Sequence, residues 1–245
     1  MRKTLVIHGK LDNLSKVLAF VDWFFNETTA TPLYSSGATD RLGSFKRNRS
    51  KISLLKNVEV RGSKSLSGIA QCDYCLAFES GRSGSIVVIV QFPPIHFHAL
   101  ELLVENLQVL CCIDYCFVWC SPYFENSWYA LGVRDAKLFG YGKEADDICK
   151  WDQEELRVHQ SFSGRLRDIY HFNYLDSRFE ELIALIKHWN LENNSPLAES
   201  TLGRLFCFSA PTFEVREKLR CALRAKGKLI CDYPFPGDGI ESSWQ

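Results

Sequence analysis

The sequence predicts an α+β protein, and three observations predict it. Apolar residues recur with a 3.6-residue period in separate stretches, with strand-like runs between them. The elements of the first half read β-α-β-β-α-β, the split, ferredoxin-like arrangement. A second set of α+β elements follows Gly164. The expected organisation is a ferredoxin-like region over 1–120, then an irregular aromatic loop and an acidic helix over 121–163. A C-terminal α+β region over 164–233 packs against the first, and a loose tail occupies 234–245.

Each element has its own signal. Thr4–His8 reads as a strand. Asp12 or Asn13 is placed to cap a helix whose Leu14, Val17, Leu18, Val21, Phe24 and Phe25 keep helical spacing. Residues 30–50 read as loop, rich in Thr, Ser and Gly, with Pro32 as a break. Ile69–Phe78 and Ser85–Phe92 form a hairpin ended by Pro93-Pro94. His98–Cys111 carries Leu100, Leu103, Val104, Leu107 and Leu110 at helical spacing, and Ile113–Cys120 returns as a strand. Ser121–Gly142 is aromatic and irregular, and 143–156 reads as a helix with an acidic surface. After it come strands at 165–175, Leu202–Phe208 and Lys228–Cys231. The helices there are Ser177–Trp189 and one starting at Pro211 or Thr212, stopped by Gly227 as its C′ residue.

With 245 residues, 46% hydrophobic and 13% aromatic, the chain has the makings of a sizeable core. Lys plus Arg equals Asp plus Glu at 29 each, so no global charge draws it to nucleic acid or to a membrane. Near-zero net charge gives little colloidal repulsion, which suits a protein that works bound to something. Met1-Arg2-Lys3 is followed by too short an apolar run for a signal peptide, and no stretch approaches ~18 apolar residues. The expectation is a cytoplasmic protein with no membrane partner, whose ten cysteines stay reduced.

Candidate chemistry is sparse. Cys72 and Cys75 have CxxC spacing, but inside a strand their sulfurs point to opposite faces. Cys112, Cys116 and Cys120 share a parity, yet four-residue steps separate them by ~13 Å, too far for one ion. His96 and His98 could complete a site with Cys72 and Cys75; the favoured reading is buried cysteine acting as a small hydrophobe, with no metal and no cofactor. No Gly-x-Ser-x-Gly, His-Glu-x-x-His or phosphate loop is present, so no catalytic residues are assigned and the chain is expected not to be an enzyme. Between Arg41 and Lys64 eight basic residues face one acid, Glu59. One aromatic, Phe45, accompanies them, which disfavours nucleic acid and suits an acidic protein partner. The partner-binding residues expected are Arg47, Arg49 and Lys51 from this stretch, with Trp128 and Tyr129 from the aromatic loop as anchors.

The run Arg165-Leu-Arg-Asp-Ile-Tyr-His-Phe-Asn-Tyr-Leu175 reads as a charged, aromatic strand. Alternation puts Asp168 on one face with Leu166, Tyr170, Phe172 and Tyr174, and Arg165, Arg167, Ile169, His171 and Asn173 on the other. A carboxylate buried on the aromatic face needs a partner that Arg165 and Arg167 cannot easily supply. All three are assigned to scaffold, as an ion pair tying the strand to a neighbour.

This run, with Thr201–Leu205, Val215–Leu219, Leu223 and Gly227 behind it, resembles the L-R-D-V-Y-x-x-N-x-L signature of bacterial immunity proteins encoded beside secreted polymorphic toxins. The resemblance spans 85–231, is strongest over 165–229, and does not reach the first 64 residues. It implies a cytoplasmic protein that binds a cognate toxin and neutralises it by occlusion, with no catalytic residues to carry over. Two other readings stay open: an intracellular enzyme with a scattered polar or metal site near Cys72, His96 and His98, and a weak nucleic-acid-binding module using 41–64. Oligomeric state is not encoded in any motif.

Overall fold

β1 (Arg2–Leu11) is buried from Thr4 to Gly9 and is hydrogen-bonded along both edges, which puts it inside the sheet. The computed structural model describes residues 2–11, 15–36, 42–54, 57–64, 74–80, 85–92, 97–121, 146 and 164–230. After β1 come α1 (Ser15–Glu27), β2 (Thr31–Ser36), β3 (Leu42–Ser44), α2 (Phe45–Asn48), a 3₁₀ turn (Arg49–Leu54) and β4 (Asn57–Ser63). Then follow β5 (Tyr74–Ser80), β6 (Ser85–Phe92), α3 (Phe97–Leu110) and β7 (Cys111–Ser121). The second half contains β8 (Phe172–Asp176), α4 (Glu180–Glu192), β9 (Ala198–Leu202), β10 (Leu205–Ser209) and α5 (Phe213–Ala225).

The molecule is α+β. Its ten strands form one sheet in the order β3-β2-β4-β5-β6-β1-β7-β8-β10-β9. Neighbouring strands are antiparallel throughout. β5, β6, β1 and β7 lie side by side, with α1 after β1 and α3 between β6 and β7. β2, β3 and β4 are inserted between α1 and β5 and extend the sheet beyond β5. Alternation along the strands divides the core in two. Leu5, Ile7, Val88, Val90, Cys116 and Val118 pack under α1 and α3. Tyr115, Phe117, Leu175, Phe206 and Phe208 face α4 and α5 through Leu182, Ile186, Leu219 and Leu223. No helix among the described residues is long and apolar enough to cross a membrane.

The expected loop over 30–50 is instead β2, β3 and α2. The strand signal fails there because β2 lies near the sheet edge, is only half-buried and contains Pro32; a bulge between Pro32 and Tyr34 accommodates the missing N–H donor. The expected strand at 165–175 shrinks to β8. Ahead of it, Asn173 folds back on Tyr170, its Oδ1 accepting from the Tyr170 N–H at 3.1 Å and its Nδ2 donating to the Tyr170 carbonyl at 2.6 Å. That turn cancels the assumed alternation, so Leu166, Ile169 and Tyr170 all enter the α4/α5 core, while Tyr174 enters the other. Leu202–Phe208 is not one strand but the β9–β10 hairpin, turned at Gly203-Arg204 with Gly203 at φ 61°. Of the closing strand expected over 228–231, the described residues 228–230 form one parallel bridge, between Leu229 and Leu166, and Cys231 lies outside the described residues. The parity shared by Cys112 and Cys116 also breaks: β7 is bulged at Asp114, since His8 pairs with Tyr115 and Gly9 with Ile113.

Candidate partner-binding surface

The basic stretch is held on the sheet by two apolar anchors. Phe45 and Ile52 are buried and lie seven residues apart, so the residues between them are turned outward through α2 and the 3₁₀ turn. Asn48 ties the segment to β2 by donating to the Ser35 carbonyl at 3.2 Å. Arg49 turns back to α1 and pairs with Asp22 at 2.5 Å, with both side chains about half exposed. Such a pair is worth about 0–1 kcal/mol, but it does occupy the Arg49 charge. Lys46, Arg47 and Lys51 are exposed and have no carboxylate partner among the described residues. The three cations singled out in the sequence therefore share one surface but divide in role: Arg47 and Lys51 face outward, and Arg49 is committed to α1. Trp128 and Tyr129 lie outside the described residues, as do Asp12, Asn13, Cys72, His96, the acidic helix apart from Asp146, and the tail. Cys75 is buried in β5, and no group of three His, Cys, Asp or Glu among the described residues is arranged to hold a metal ion.

Next to this surface, the C-terminal end of α1 closes with an unusual residue. The Ala30 N–H bonds the Phe25 carbonyl and the Thr29 N–H bonds the Asn26 carbonyl, both at 3.0 Å. This is the Schellman pattern, and it recurs at the ends of α4 and α5. The left-handed C′ residue is Asn194 (φ 43°) after α4 and Gly227 (φ 66°) after α5, as the pattern favours. After α1 it is Thr29 at φ 52°, a β-branched residue for which this conformation costs about 1 kcal/mol or more. Thr29 is exposed and lines two hollows. One is a cleft of about 260 Å³ walled by Trp23, Phe24, Tyr74, Phe92 and Leu103; the other is an open groove of about 470 Å³ reaching Asp22 and Pro32.

The 165–175 run builds scaffold. Asp168 is wholly buried and accepts two bonds from Arg220 of α5, Nε to Oδ1 at 2.7 Å and Nη2 to Oδ2 at 3.1 Å. Arg220 also donates to the Ile169 carbonyl at 2.7 Å and to Glu217 at 2.6 Å. Burial pushes the Asp168 carboxyl up from its usual range, and the Arg220 guanidinium pulls it back down. The partner is thus Arg220, not Arg165 or Arg167; Arg167 is itself buried, its guanidinium 5.5 Å from the Phe117 ring centre. Sequence reading missed Arg220 and the equally buried Arg216. A signal was present: both sit one position after core residues, Val215 and Leu219, on the inward stripe of α5. At the sheet end a second network joins Arg178 to Asp114 and Asp176, and Arg204 to Asp176 at 3.0 Å and to Cys112.

The fold is similar to that of a Pseudomonas aeruginosa T6SS protein. The likeness covers 93% of this chain and 73% of that one, with a TM-score of 0.56 and 12% sequence identity, and it shows the fold alone. A second solved structure is the toxic C-terminal tip of CdiA from Pseudomonas aeruginosa in complex with immune protein. It covers 51% of this chain and 90% of that one at 9% identity, and its TM-score of 0.28 carries no argument. No family model matches the chain, and no curated protein matches it.

Proposed function

We propose that this is an immunity protein, acting by binding and not by catalysis, which neutralises a cognate secreted toxin by occluding it. The observation that supports the reading is the fold likeness over 93% of the chain to a Pseudomonas aeruginosa T6SS protein. The resemblance of 165–229 to immunity proteins supports the same reading. The physical build agrees with it. The signature residues are spent on a buried Asp168–Arg220 link, which leaves recognition to surfaces elsewhere. The outward cations Lys46, Arg47 and Lys51 supply a surface complementary to an acidic protein.

The test takes the product of the reading frame beside this gene as the candidate toxin. Mixed with that purified product, the protein is expected to form a one-to-one complex by size exclusion with light scattering, and to suppress the toxin's activity. Separate elution of the two, with full toxin activity, contradicts the reading.

A further inference from the structure

We infer that the C-terminal end of α1 is the docking site for an acidic segment of the partner protein, which seats one apolar side chain in the cleft beside Trp23. The inference rests on the toxin-binding reading and says where and how the partner is held. Three observations meet at this place. The cleft is deep and apolar, floored by the buried Phe24, Tyr74, Phe92 and Leu103, with Trp23 half-buried in its wall. Aromatic-walled pockets of this kind take the anchor side chains that dominate protein interfaces. Thr29, which separates this cleft from the neighbouring groove, keeps a strained left-handed conformation where the same motif elsewhere in the chain uses Asn194 or Gly227. Strain held at an exposed ridge between two hollows is retained for what the side chain touches, not for the fold.

The third observation is charge, and it selects the occupant. The groove reaches Asp22, whose carboxylate is bonded to Arg49, and Arg49 belongs to the same exposed basic stretch as Arg47 and Lys51. Lys64, exposed, lines the cleft on the far side. The carboxylates along this path are Asp22, already paired, and Glu27 at the cleft. An acidic segment crossing the ridge thus meets cations at both ends and an apolar seat between them. A nucleic acid fits less well, because the seat is mainly apolar and takes a side chain.

The experiment follows hydrogen exchange in this protein, alone and mixed with the purified product of the reading frame beside its gene as the candidate toxin, with affinities of three variants. Amides of 22–31 are expected to gain protection on binding. Trp23→Ala and Lys64→Glu are expected to weaken binding, by at least about tenfold for Trp23→Ala. Thr29→Gly is expected to raise Tm by about 2–4 °C while weakening binding about threefold or more, a combination that a purely structural role would not produce. Lys64 is exposed, so Lys64→Glu reports on docking even if Trp23→Ala is poorly folded. A complex that forms with no protection over 22–31 and unchanged affinity for Lys64→Glu and Thr29→Gly overturns the docking site and leaves the toxin reading standing. Absence of any complex overturns both. Binding of a fluorescent single-stranded RNA 20-mer that Lys64→Glu abolishes overturns the choice of a protein segment.

Discussion

Asp168 and Arg220 have no exposure, and two hydrogen bonds join their opposite charges. Removing Asp168 leaves the buried Arg220 with only Glu217 and the Ile169 carbonyl as partners, and breaking a buried pair of this kind costs about 3–5 kcal/mol. Asp168→Ala is expected to lose that much in urea unfolding; a loss under about 1 kcal/mol would show that the pair does not hold α5 to the 166–170 segment. The cysteines follow the same logic of burial. Burial pushes the thiol of Cys116 well up and that of Cys207 up to about 12, whereas Cys221 is exposed. A thiol whose pKa is raised stays protonated at pH 8, with roughly one Cys207 in ten thousand as the reactive thiolate. Iodoacetamide at pH 8, read by peptide mass spectrometry, is expected to label Cys221 well before Cys116 or Cys207. Equal labelling would mean that the strands carrying the two buried thiols open readily.

At the scale of elements, α1 is positioned by a close approach. A Cβ on Gly62 of β4 would collide with the Phe25 ring and the Thr31 carbonyl, so only glycine lets β4 pass beneath the end of this helix. Gly62→Ala is expected to cost about 1–3 kcal/mol by overpacking, measured as a lower urea midpoint with an unchanged slope; an unchanged midpoint would contradict that packing. Elements with a strong period were legible in the sequence: α1, α3 and β6 stand where spacing put them, while β5 runs Tyr74–Ser80 against the expected Ile69–Phe78, of which 69–73 lie outside the described residues. β2 was not, because Pro32 and its half-exposed, polar character hide a strand that pairing with β4 stabilises. The 165–175 run misled because the Asn173–Tyr170 side-chain bonds, invisible to alternation, turn the chain before β8. Of the candidate surface, the cations were legible as a charge run. Trp23 and Thr29 were not, since Trp23 continues an apolar helix face and a strained φ leaves no mark in composition.

At the scale of the molecule, one antiparallel sheet carries both halves, with α1 and α3 on one face and α4 and α5 on the other. The basic surface belongs to the β2–β4 insertion, while the signature that carries the resemblance lies across the sheet near β8. On the proposed reading, partner recognition and the signature run lie in different parts of the fold, and substitutions at the basic surface are expected to leave the scaffold folded. The most direct measurement of the central claim is growth protection in cells expressing, as the candidate toxin, the product of the reading frame beside this gene. The wild-type protein is expected to restore growth, and Arg47→Glu/Lys51→Glu, folded by circular dichroism, is expected to fail or to need much higher expression. Growth arrest that the wild type does not relieve would contradict the account.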